Sequence, residues 1–147
     1  MTFVPLTAPW VALVLAGTVA IMAERPIRVL DGDTVRSDGI TYRLVGYDAP
    51  ETGTRAHCAA ERDLGEAAKR RLQQLLRTDD ATLTPVRCAC RSGTEGSMLC
   101  NFGRSCAELT VAGADVAAIL IAEGLARPYR CGDFSCPRRT NWCGDES

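Results

Sequence analysis

Residues 29–53, VLDGDTVRSDGITYRLVGYDAPETG, hold four aspartates, one glutamate and two arginines in a segment otherwise patterned as β-strands. Asp33, Arg43, Asp48 and Glu51 carry the chemical interest, the last three within nine residues. Carboxylate oxygens are ligands for hard cations such as Ca2+, which takes them in flexible geometry, and oxygen donors alone also suit Mg2+ or Mn2+. A carboxylate that does not hold the ion can orient or deprotonate a water. An arginine fork bonds two phosphate oxygens at once and stays charged. Metal ligands, a water-activating acid and an anion clamp together describe hydrolysis of a phosphate ester. Taken singly, each residue is more often a turn residue or half of a surface ion pair. Asp31 and Asp38, each followed by glycine, read as turn residues.

Strands must aim these groups. RVL, TVRS and TYRLV read as three short strands separated by Asp/Gly punctuation. Asp38-Gly39 marks a hairpin, and its loop length decides which side chains share a face. A two-residue loop pairs Thr34 with Arg43 and puts Asp33 and Arg43 on opposite faces. A three-residue loop, Ser37-Asp38-Gly39, pairs residue 33 with residue 43 and puts both on one face, and this register is the expectation. Asp33 and Asp48 then converge at a strand end, with Pro50 fixing the backbone before Glu51.

Leu64, Ala68, Leu72, Leu75 and Leu76 recur at helical spacing and predict an amphipathic scaffold helix over about Ala60–Leu76. ATLTPVRCAC and RSCAELTVAG read as two further strands around a Gly- and Ser-containing loop. After Gly113, ADVAAILIAEGLA predicts a second helix of about ten residues, with Asp115 in its first turn and Gly124 capping its end. Five short strands with a helix between the third and fourth fit an OB-type barrel: an α+β fold, mainly β, with two helices.

DGDT followed by RLVGYDAPE resembles the staphylococcal-nuclease-like (thermonuclease) family, whose pattern is D-G-D-T and then R-L-x-x-x-D-x-P-E. The resemblance continues at GEA, residues 65–67, and at FGRSCAELTVAG…EGLA, so that it spans roughly residues 27–127. It implies an OB-type barrel carrying a Ca2+-dependent nuclease site. Asp33 and Asp48 match the calcium ligands, with the backbone carbonyl at Ala49 adding a third. Glu51 matches the general base, and Arg43 and Arg104 match the arginines that hold the scissile phosphate. The implied reaction breaks the P–O5′ bond of DNA and RNA and leaves 3′-phosphate ends. Without the resemblance, Arg104 reads as a solvated strand residue. The family's D-x-Y-G-R is CNFGR here, with Phe102 in place of tyrosine, and Tyr129 stands displaced from the register of the base-flanking tyrosines.

Residues 1–23 lack charged side chains, and PWVALVLAGTVAIMA within them reads as an export signal or a membrane anchor. Either places the folded part outside the cytoplasm. The expected organisation is therefore signal or anchor at 1–23, an OB-fold domain at 24–130 and a Cys-containing tail at 131–147. Eight cysteines in an exported chain read as a disulfide framework with 105 possible pairings, in preference to zinc, since no C-x2-C pair exists and His57 is the one histidine. A net charge of −1 argues against a dedicated duplex binder and leaves open an enzyme that meets its phosphodiester briefly. Lys69, Arg70, Arg71, Arg138 and Arg139 read equally as solvated residues or as guides for nucleic acid. The expected substrate is DNA and/or RNA; no protein partner is inferable. Rival readings are a non-catalytic module that binds nucleic acid or protein, and a disulfide- or zinc-stabilised envelope domain.

Overall fold

The computed structural model describes residues 26–77 and 80–144. The charge-free opening stretch, read above as signal or anchor, lies outside them. Among the described residues no helix is long and apolar enough to cross a membrane.

The chain opens with an antiparallel meander of β1 (Arg28–Asp31), β2 (Thr34–Ser37) and β3 (Ile40–Leu44). Ser37 pairs with Ile40 and Thr34 with Arg43, so the hairpin loop is the two residues Asp38 and Gly39 and the three-residue register is wrong. Both loop residues have positive φ, 50° and 81°, as a type I′ turn requires. That turn matches the right-handed twist of the strands, and aspartate tolerates the left-handed region well enough to sit beside glycine in it.

After β3, β4 (Gly46–Asp48) leaves the main sheet and pairs antiparallel with β8 (Arg127–Tyr129). The remaining elements are α1 (Ala59–Leu75), β5 (Ala81–Val86), β6 (Ser105–Val111), β7 (Ala114–Asp115) and α2 (Val116–Ala122). The main path runs β1-β2-β3-β6-β5, with β7 attached to β6. β3 and β6 pair in parallel, which the long crossover through α1 and β5 permits. The result is a curled, mainly-β half-barrel of OB type with two helices. Pro85 sits in β5, the end strand of the path, where a missing backbone donor is tolerated.

Val35, Leu44 and Leu109 from the sheet meet Leu72 of α1 and Val116 and Leu120 of α2 in one buried core. Gly65, Ala68 and Leu72 make the inward stripe of α1, close to the expected helix. The second helix is shorter than expected, because Asp115 caps it from outside, its side chain accepting from the Ala117 N–H at 3.0 Å. Gly124 follows its end.

All eight cysteines are paired, as Cys58–Cys143, Cys88–Cys106, Cys90–Cys100 and Cys131–Cys136. The disulfide framework replaces any zinc reading. Residues 130–144 form no helix or strand and are tied down by two of these bridges.

Candidate functional site

Strand alternation does not govern Asp33, because it lies in the tight turn between β1 and β2, where the pairing also shifts register. Its side chain is therefore free to turn toward Arg43 although Thr34 holds the position opposite that arginine. Arg43 Nη1 lies 2.7 Å from Asp33 Oδ2, and its Nη2 lies 3.3 Å from Asp48 Oδ1. The same guanidinium donates to the carbonyls of Leu44 and Tyr47 at 3.1 Å each. One arginine thus ties the β1–β2 turn to the end of β4.

Asp33 Oδ2 also accepts the Ala49 N–H at 3.3 Å, and its Oδ1 accepts the Thr34 hydroxyl at 3.0 Å. Thr34 Oγ1 in turn accepts from Arg104 Nη1 at 3.2 Å. Arg104, one residue before β6, is steadied by Asn101, whose Oδ1 accepts at 2.8 Å, and by the Phe102 ring 5.8 Å from its guanidinium carbon. The structure therefore brings Asp33, Arg43, Asp48, Ala49 and Glu51 together and links Arg104 to them through Thr34.

Asp48 is fully buried. Its Oδ1 accepts from Arg43 and, at 2.7 Å, from Arg139 Nε, while its Oδ2 is buried without a hydrogen-bond partner. Burial raises the Asp48 pKa against the opposing pull of Arg139 and Arg43. Burial likewise raises Asp31, which Arg55 partners, and lowers Arg104, with the charge of Arg43 adding to that fall. A hard cation suits these donors. Asp33, Asp48 and the Ala49 carbonyl offer only oxygen, and the unpartnered Asp48 Oδ2 is an acceptor awaiting positive charge.

Three residues that hold the site escaped the sequence reading. Glu61 on α1 is 3% exposed, and its carboxylate accepts the Glu51 N–H at 3.3 Å and the His57 N–H at 2.7 Å. Its spacing from the helix-capping Cys58, whose sulfur accepts from the Glu61 N–H, follows a capping-box pattern and was the available signal. Arg55 lies 3.1 Å from Glu51 and also pairs with Asp31. Arg139, read above as a solvated residue or a guide for nucleic acid, instead reaches Asp48 Oδ1, the Ala49 carbonyl at 3.0 Å and Glu51 Oε1. Burial would lower the Arg139 pKa, but the hydrogen bond to Glu51 and the charge of Asp48 raise it further above its ordinary value. Tyr129 serves the tail too, its hydroxyl donating to the Pro137 carbonyl at 2.8 Å.

Among the described residues, Cys58, Glu61 and Cys143 also cluster at ligand spacing, but both sulfurs are spent in one disulfide. A family model described as staphylococcal nuclease homologue matches residues 41–140. That match begins within β3, runs through Asp48, Glu51 and Arg104, and ends one residue after Arg139. No curated protein matches the chain.

Proposed function

Because the chain belongs to the staphylococcal nuclease homologue family, whose members are generally metal-dependent nucleases, we propose that it is a calcium-dependent phosphodiesterase. Its substrate is DNA and/or RNA, and its products carry 3′-phosphates. The observation that carries this reading is the convergence of Asp33, Arg43, Asp48, Glu51 and Arg104 from four separate segments onto one barrel end. The paired cysteines support an exported setting.

Asp33, Asp48 and the Ala49 carbonyl would hold the cation. When bound, it supplies positive charge to a phosphate oxygen and acidifies water. Glu51 takes a proton from the attacking water as the new O–P bond forms. Arg43 and Arg104 bind the phosphate oxygens, on which negative charge is concentrated in the transition state. The P–O5′ bond breaks, the 5′ oxygen leaves as a hydroxyl after taking a proton from solvent water, Glu51 returns its proton to solvent, and the phosphate stays on the 3′ side. Both terminal nitrogens of Arg43 already donate within the protein, so gripping phosphate requires it to exchange a partner. Glu61 and Arg55 position Glu51, one through its backbone and one through its carboxylate.

The test is degradation of single-stranded DNA by the disulfide-intact protein with calcium, with chelator, and with Glu51→Gln. Calcium-dependent cutting that falls about 100-fold or more in the variant is expected. Binding of DNA without cutting by the wild type would replace this reading with that of a non-catalytic module.

A further inference from the structure

The C-terminal tail sets a permanent cation on the oxygens assigned above to the metal. Arg139 donates through Nε to Asp48 Oδ1 at 2.7 Å, through Nη2 to the Ala49 carbonyl at 3.0 Å and through Nη1 to Glu51. A guanidinium keeps its charge at every physiological pH and forms a planar fork suited to carboxylates. With the fork in place, two of the three proposed metal donors and the proposed base are engaged. A divalent ion that takes Asp48 Oδ1 and the Ala49 carbonyl must displace Arg139 from them, and only Asp48 Oδ2 is left open to it while the fork is in place.

The contact is built from both sides. Upstream, the Cys131–Cys136 bridge and the bond from the Tyr129 hydroxyl to the Pro137 carbonyl fix the chain just before Arg139. Downstream, Cys143 is joined to Cys58 at the start of α1, and Trp142 lies against the guanidinium of Arg127 at 5.0 Å. A short strap pinned at both ends keeps Arg139 at high local concentration over the acids.

Resting on the proposed assignment of the metal donors, we propose that this strap is autoinhibitory: Arg139 competes with the metal for Asp48, the Ala49 carbonyl and Glu51. The Cys58–Cys143 bridge sets how firmly the competitor is held. Metal binding and docking of Arg139 on the acids are then coupled, so each weakens the other by the same factor.

The experiment measures Ca2+ binding alone, by calorimetry on the full disulfide-intact chain without nucleic acid. Wild type is compared with Arg139→Gln, which retains amide donors without the charge, with Arg139→Ala, and with Asp48→Asn. Each variant's fold is checked by its thermal transition. Both Arg139 variants should bind Ca2+ about tenfold or more tightly than wild type, and Asp48→Asn should lose that binding. In wild type, added Ca2+ should also shift the fluorescence of Trp142, identified by its loss in Trp142→Phe. This second readout needs no Arg139 variant to fold. Equal Ca2+ affinity in wild type and the Arg139 variants, with binding lost in Asp48→Asn, would overturn the strap and leave the metal site standing. Weaker binding in the Arg139 variants would also overturn it, making Arg139 a support for the site. Absence of Ca2+ binding in every form would overturn the metal assignment and the strap with it.

Discussion

Gly65 shows how one missing methyl group sets the site. A Cβ there would collide with the carbonyl oxygens of Glu51 and Pro50, the latter at 2.8 Å, because the Pro50–Glu51 backbone lies directly on α1. The same approach lets Glu61, one turn earlier on α1, accept the Glu51 N–H. Gly65→Ala should therefore lower stability by about 1–3 kcal/mol, as overpacking does, and should also depress activity by displacing Glu51. Denaturant unfolding and a cleavage assay on the folded fraction check the two effects separately. Residue types and spacing made Asp33, Arg43, Asp48 and Glu51 legible, because acids and arginines interrupting a strand pattern demand an explanation. The face of Asp33 was not legible, since a turn residue escapes the alternation that orders strand side chains. Glu61 hid inside a helix whose apolar stripe alone accounted for it.

The two helices are joined at their surface by Arg71 of α1 and Glu123, the residue that ends α2. Three hydrogen bonds link the pair, the shortest at 2.7 Å, and the hydrogen bond from Arg71 holds the Glu123 carboxyl below its ordinary value. A depressed carboxylate stabilises the fold above its unfolded pKa, and that contribution vanishes as pH falls through the folded value. Glu123→Gln should thus melt slightly below wild type at neutral pH, and the gap in Tm should close under acid conditions. The pair is solvent-exposed, so the gap should also shrink with added salt. Periodicity placed α1 almost to the residue and found all five strands of the main path. β4, β7 and β8 went unseen because runs of two or three residues carry no period to read.

Over the whole molecule, covalent links do much of what a small core cannot. Cys58–Cys143 spans 85 residues, enclosing α1, strands β5 to β8 and α2. Loop-closure entropy assigns such a bridge about 4–5 kcal/mol. The double variant Cys58→Ser, Cys143→Ser should lose a large part of its stability in thermal or denaturant unfolding while its three other bridges remain. The need for disulfides was legible from cysteine number; their partners were not, because pairing follows from how the chain closes in space. The same limit concealed Arg139, which is 91 residues from Asp48 and meets it only once the tail folds back.

The loop between β5 and β6 has a consequence for how the chain recovers after unfolding. Cys88–Cys106 clasps the two strands at the end where Val86 pairs with Cys106, and Cys90–Cys100 closes a smaller ring inside it. A chain melted with its bridges intact therefore keeps these strands leashed at their shared end. Their six-rung ladder, running from Val86–Cys106 to Ala81–Val111, can zip from that clasp without a search for its partner. The segment that carries Arg104 returns to its strand as part of the same local closure, ahead of the distant contacts that complete the barrel.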